Sequence, residues 1–201
     1  MLTLFTFMRS EEESTKSRLL MAARDHYLEV GPHAFSLREV ARRAGVTAAA
    51  VYRHFEGKQA LLDAVCEEGF RIFGSYLMES LKARDPMARI RAAGAQYLRF
   101  GLERPHDYRV IFMSDAPAIA AGVSPVTSTS FQFLVDRVRE CMAAGAFRAG
   151  DPELVALSIW SHVHGLTSLR LSGQLAVVGD DATFRDVFAA SVEMLLTGLA
   201  P

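Results

Sequence analysis

Residues 37–55 read LREVARRAGVTAAAVYRHF, and the way this stretch divides decides the fold. Ser36, just before it, is a good N-cap residue, and Glu39 follows three places later. That pairing predicts a capping box that opens a helix. Gly45 supplies the positive φ that a tight turn needs. Thr47 then caps a second, very short helix running to about Phe55. Val40, Val46 and Val51 lock the two helices together, and Ala41 is small enough to face their crossing. Two short helices that cross steeply, with small residues where they touch, make a helix-turn-helix, whose second helix enters a DNA groove. Thr47, Ala48, Ala49, Ala50 and Tyr52 are left on or near the exposed start of that helix. Its N-terminus favours an anion through unbonded N–H groups and the helix dipole.

Outward from the motif the pattern stays helical. Upstream, Leu19 or Leu20, Ala23, Tyr27 and Val30 form one helical face, closed by Gly31 and Pro32. Downstream, Gly57 precedes a long helix from Lys58 to about Leu81. A cation at the start of a helix opposes the macrodipole at a cost of roughly 0.3 kcal/mol or more, and a nearby phosphate reverses the sign. Lys58 is therefore a candidate phosphate contact. Residues 14–58 carry eight cations against four anions in a chain whose net charge is −1. A local basic excess is what a phosphate-facing module needs.

Further along, Asp85-Pro86, Ser124-Pro125 and Asp151-Pro152 each set a cap residue before a proline at the first helical position. Pro105 splits what would be one long helix, and Gly145 and Gly173 sit where helices should stop. No strand-like alternation stands out. The expectation is an all-α chain of about nine helices. Residues 1–13 form a disordered tail, 14–60 a helix-turn-helix head, and 61–201 a helical body for effector binding and dimerisation.

Residues 154–169 carry no charge, so that helix needs cover on both sides. One side can meet its own body and the other a second copy. Ala156, Ser161, Gly165 and Ser168 are small enough for close approach, and Phe184, Phe188, Val192 and Leu195 of the last helix are expected in the same four-helix interface. The uncharged run falls short of the ~20 residues a membrane span needs, so no membrane partner is expected. Two cysteines without CxxC spacing, Cys66 and Cys141, suit a reducing cytoplasm. Tyr97, Phe100, Tyr108, Phe112, Met113, Phe131, Trp160 and His164 are the candidates for lining a mostly apolar effector pocket. His162 and His164 point apart on a helix, against a shared metal, and no cofactor is expected. The sequence holds no GxSxG, HExxH or glycine-rich phosphate loop, and its serines and histidines are scattered, so an enzyme is not expected. The rival reading is a helical ligand-binding or scaffolding protein without sequence-specific DNA activity.

The segment from about residue 19 to 62, above all AGVTAAAVYRHFEGKQALL, closely resembles the DNA-binding head of the tetracycline-repressor (TetR) family. The Gly-Val-Thr turn, the Tyr-x-x-Phe end and the Lys-x-x-Leu-Leu opening of the next helix match in order and spacing. More weakly, YLRFGLERPHDYRVIFM (97–113) and DPELVALSIWSHVHGLTSLRLSG (151–173) resemble the C-terminal domain of a subgroup with a Trp and then His-Gly one turn later, here Trp160, His164 and Gly165. The resemblance implies a homodimer whose heads enter successive major grooves of a near-palindromic double-stranded DNA operator. It also implies repression relieved by a small-molecule effector. By position it makes Ser36 a phosphate contact and Arg38 the base reader, able to grip guanine bidentately. Thr47 caps the recognition helix, Ala48, Ala49 and Ala50 face the bases, and Tyr52, His54 and Lys58 hold the backbone. Three alanines have no polar reach, so specificity is expected to rest on Arg38 and DNA shape.

Overall fold

In a computed structural model of the chain, residues 2–116 and 129–201 are described, with side chains from Ser14 onward. Among the described residues there are nine α-helices and no strand: α1 (Leu2–Ala34), α2 (Leu37–Ala44), α3 (Ala48–His54), α4 (Lys58–Glu79), α5 (Pro86–Glu103), α6 (Pro105–Phe112), α7 (Thr129–Ala143), α8 (Pro152–Leu171) and α9 (Asp181–Gly198). Short 3-10 turns follow α4 at Ser80–Lys82 and α8 at Ala176–Val178. The all-α expectation holds.

Most helix boundaries fall where local chemistry puts them. The Asp85 side chain accepts from the Ala88 N–H at 2.8 Å, and Asp151 accepts from Glu153 at 2.9 Å, each with proline next in line. Pro105 opens α6 directly behind α5. Gly31, at φ 70 and ψ −177, interrupts α1 just before Pro32. At its other end α1 is helical back to Leu2, through the stretch expected as a disordered tail. Residues 2–13 contain no glycine or proline, so nothing local stops a helix already nucleated further on. Leu19, Ala23 and Tyr27 are buried as expected, while Val30 lies exposed on the last turn before Gly31. The Ser124-Pro125 cap lies outside the described residues.

The chain forms two compact units. The first holds the residues up to Gly69 together with those from Arg109 to Ala116. Its α1 packs on α2 and α2 on α3, around a core that includes Leu19, Val40, Val51, Leu61 and Ile111. Removing each such side chain from water stabilises by about 1.5–3 kcal/mol.

The second unit holds Phe70–Tyr108 and the described residues from Thr129 on. Here α5 is central, packing against α7, α8 and α9. Two glycines of α5 face α8, and one of them is required for the approach. A Cβ on Gly94 would lie 3.7 Å from Val163, an ordinary contact. A Cβ on Gly101 would lie 2.5 Å from Cγ2 of Thr167 and 3.4 Å from Tyr108, so no larger residue fits. Thr167 cannot swing aside easily, because its hydroxyl donates to the Val163 carbonyl at 2.7 Å and it is fully buried. The two thiols are buried as well, Cys66 pushed up to about 12 and Cys141 to about 11 chiefly by burial. They stay protonated, which disfavours thiolate redox chemistry.

Candidate nucleic-acid interface

The turn between α2 and α3 forms as its sequence predicts. Gly45 takes the left-handed conformation (φ 67, ψ 36), its N–H bonding to Arg42 at 3.2 Å, while the Val46 N–H bonds to the Ala41 carbonyl at 3.0 Å. This pair satisfies carbonyls that would otherwise be orphaned at the end of α2. Val40, Ala41 and Val51 are buried at the crossing. Thr47 caps α3, its hydroxyl oxygen accepting from the Ala50 N–H at 3.2 Å.

The capping box expected at Ser36 does not form. Glu39 is instead gripped by two arginines: Arg42 through Nε and Nη2 at 2.8 and 2.6 Å, and Arg43 through Nε at 2.9 Å. Arg42 first, then Arg43, hold its carboxyl down at about 2. The Ser36 N–H that Glu39 would have accepted is taken by Nε2 of His26 at 3.3 Å. Ser36 remains the N-cap by backbone geometry, but its side chain makes no cap bond. Bonds from two cationic guanidiniums outcompete a single bond from an uncharged backbone N–H to the same carboxylate.

Ion pairing sorts the cations of the head. Arg24 is held by Asp25, Arg43 by Glu29 and Glu39, and Arg42 by Glu39. Arg38 and Arg53 are exposed and make no hydrogen bond or ion pair to any described residue. Lys58 is also exposed, yet its ammonium donates to the Pro32 carbonyl at 2.6 Å and lies 5.6 Å from the Phe35 ring centroid. A carbonyl and a ring face thus relieve part of the unfavourable dipole term within the head, and two ammonium donors remain.

On α3, Ala48, Ala49, Tyr52 and Arg53 are exposed, Tyr52 at 61 %. Tyr52 stands four places after Ala48 and three after Ala49, and Arg53 four after Ala49, which puts them on one flank of the helix. Ala50, expected to face bases, is a correction: it is buried beside Val51 on the face that packs on α2. His54 is half-buried, its ring 6.3 Å from that of Phe55. The sequence reading passed over Arg53. Its signal was available, since it stands four residues after Ala49 on the same helical face.

In the second unit, six of the eight pocket candidates join one aromatic cluster. Phe131 meets Trp160 (centroids 6.3 Å), Trp160 meets His164 (5.5 Å), and His164 stacks on Tyr108 (5.9 Å). Tyr108 in turn meets Tyr97 and Phe100. Phe73 of α4, missed from the sequence, contacts both Tyr97 and Phe100. Phe112 and Met113 fall in the first unit, and Met113 is exposed. The Tyr97 and Tyr108 hydroxyls lie 3.0 and 2.9 Å from Nδ1 of His164. A ring nitrogen has one lone pair, so it accepts from one hydroxyl at a time; Tyr108 also reaches the His164 carbonyl at 3.4 Å. Burial lowers the His164 pKa and raises those of both tyrosines, which keeps all three neutral. Among the described residues no group of three metal-ligating side chains forms, and no helix is long and apolar enough to cross a membrane.

The expected interface residues divide by face. Ala156, Phe184, Phe188 and Val192 are buried inside their own protomer and have no surface left for a partner. Ser161 is exposed, and Gly165, Ser168 and Leu195 are half-buried. A Cβ on Gly165 would meet nothing within 4 Å. The large apolar residues turned outward are Leu154, Leu157 and Leu169 on α8, and Val187 and Met194 on α9, the last at 76 % exposure. His162 and Ser191 bridge the two helices at 3.0 Å.

A helix-turn-helix whose two helices each present an exposed, unpaired arginine, in a chain that also folds a separate helical body, defines a DNA-binding transcriptional regulator. Residues 19–65 match the family of bacterial regulatory proteins of the tetR type, and residues 90–196 match the tetracyclin repressor-like C-terminal domain. The chain belongs to the TetR family. It is 30 % identical to the HTH-type transcriptional activator FasR of Mycolicibacterium smegmatis, over 81 % of this chain and 77 % of that one. It is 27 % identical to the HTH-type transcriptional regulator RutR of Escherichia coli, over 98 % and 96 %. Among solved structures, a protein of unknown function from Rhodococcus sp. RHA1 superposes with a TM-score of 0.75 at 29 % identity, covering 93 % of this chain and 96 % of the other. A TetR family regulator from Marinobacter aquaeolei superposes at 0.78 with 20 % identity, over 96 % and 98 %, a likeness of fold.

Proposed function

We propose that this regulator acts as a homodimer on a near-palindromic operator, by binding and not by catalysis, in the cytoplasm, and that a small-molecule effector controls its hold on DNA. The observation that carries the reading is the pairing pattern of the head. Arg18 donates to the Thr15 hydroxyl, whereas the exposed Arg38 and Arg53, which make neither a hydrogen bond nor an ion pair to any described residue, stand on the two helices of the helix-turn-helix. In this reading Arg38 reads a base edge, while Arg53, Tyr52, Lys58 and the uncommitted Ser36 hydroxyl hold phosphates. Ala48 and Ala49 allow close approach to the groove.

The dimer is supported by the outward apolar residues of α8 and α9. Leu154, Leu157, Val187 and Met194, with Ser161, Gly165 and Ser168, take the place of the buried residues named from the sequence. Aromatic neighbours around His164 suit a hydrophobic effector. Repression relieved by that effector is the first reading of the output. Activation is the second, favoured by the name of the relative from Mycolicibacterium smegmatis.

The test is fluorescence anisotropy of the protein on its own upstream DNA, with competitor and at two salt concentrations, alongside Arg38→Ala. Competitor-resistant binding that weakens steeply with salt is expected, with two protomers per operator by sedimentation. Arg38→Ala should cost about 1–3 kcal/mol of discrimination at one position per half-site. Equal loss on cognate and scrambled DNA would reduce Arg38 to a phosphate contact, and one protomer per site would remove the dimer. A reporter gene behind the operator gives the sign of regulation.

A further inference from the structure

Two buried polar atoms in the second unit have no partner: Nε of Arg137 on α7 and Oε1 of Gln96 on α5. Interiors pair nearly all such atoms, so each one left bare asks for an explanation. Arg137 is the more informative. Its side chain is only 15 % exposed. Its Nη2 donates to Oε1 of Glu140 at 2.8 Å, and its guanidinium lies 4.8 Å from the Phe133 ring centroid.

The same Glu140 serves a second cation. Arg89, on α5, donates from Nη1 to the other Glu140 oxygen at 3.3 Å, and from Nε to the Ala83 carbonyl at 3.1 Å. Two guanidiniums therefore share the Glu140 carboxylate, and neither of its oxygens reaches Nε of Arg137. The other acid on this stretch of α7, Asp136, accepts instead from Arg139 and Gln132, both at 3.0 Å. Gln96 stands two turns beyond Arg89 along the same flank of α5.

We propose that this seam is the polar anchor of the effector site and that the effector is an acid, a carboxylate on an apolar body. The proposal rests on the effector reading above and narrows its ligand class. The carboxylate accepts from the bare Nε–H of Arg137, the edge of the guanidinium fork that Glu140 leaves open. Phe133 lies against the apolar part. Gln96 accepts from a hydroxyl or amide elsewhere on the same molecule.

The experiment is isothermal titration calorimetry on the full chain without DNA, using 2-naphthoate and decanoate against 2-naphthamide and decanamide. At least one acid should bind about tenfold more tightly than its amide. Arg137→Gln should abolish that preference and Arg137→Lys should keep part of it. The acid-to-amide ratio in the unsubstituted protein is decisive even if a variant fails to fold. Equal binding of acid and amide, no binding of either acid, or a preference that survives Arg137→Gln overturns the proposal. An uncharged compound that alone releases the operator would leave the effector reading standing and remove the anion. Failure to bind any operator would strike the regulatory reading and leave the calorimetry unaffected.

Discussion

The pair α2 and α3 in the head and the pair α5 and α8 in the body each depend on one glycine, for different reasons. Gly45 is needed for its backbone: its φ of 67 turns the chain, and a Cβ there would meet nothing within 4 Å. Gly101 is needed for its missing side chain: its φ is ordinary, and a Cβ would lie 2.5 Å from Thr167. The first requirement is local and is written in the neighbouring residues. The second is set by a residue on another helix, 66 positions along the chain by subtraction of 101 from 167, and no local pattern carries it. The head is built from turns and caps, and the body from how closely its helices can approach.

Substitution at the two glycines puts this contrast to the test. Gly101→Ala should destabilise by about 1–3 kcal/mol through overpacking, and thermal melts should shift by roughly 2–4 °C per kcal/mol for a chain of this size. Gly45→Ala should cost less, about 1–2 kcal/mol for a left-handed residue with a Cβ. The reverse order would mean that the turn, not the approach, limits stability.

A smaller effect, the response to pH, is shared by the two units. His26 is buried in the head, stacked on Phe35, and accepts the Ser36 N–H as a neutral ring. Burial, followed by Arg43, lowers its pKa, against the opposing pull of Glu39 and Glu29. Since its folded pKa lies below the ordinary 6.5, the unfolded chain binds the proton more readily. The stability it contributes is complete above about pH 6.5 and is lost as pH falls through the folded value. His164 in the body shifts the same way. His26→Gln should therefore flatten, without abolishing, the fall in melting temperature between neutral and mildly acidic pH. An unchanged slope would assign the whole effect elsewhere.

How far the sequence reached follows the same division. The Thr47 cap, the Gly45 turn and the Asp-Pro openings of α5 and α8 are contacts within a few residues, and all were readable. The Ser36 capping box was a sound local reading that lost to Arg42 and Arg43, the second of which also reaches Glu29 on α1. The rings around His164 were recognisable as a group of apolar positions, but the meeting of two tyrosine hydroxyls on one imidazole was not. On α8, apolar residues lie all round the helix. Periodicity could show that both sides need cover and could not tell which side meets its own core. Ala156 was therefore assigned outward, while the exposed Leu154 and Leu157 were overlooked.

The two exposed alanines at the start of α3 have a consequence of their own. Ala48 and Ala49 have solvent-facing side chains, and surface substitutions at such places usually change stability by no more than about 0.5 kcal/mol. The head can thus be re-addressed without being rebuilt. A duplicated gene altered at these two codons would acquire a new promoter preference while keeping its fold. The same property makes the pair a natural place to vary in building orthogonal genetic switches.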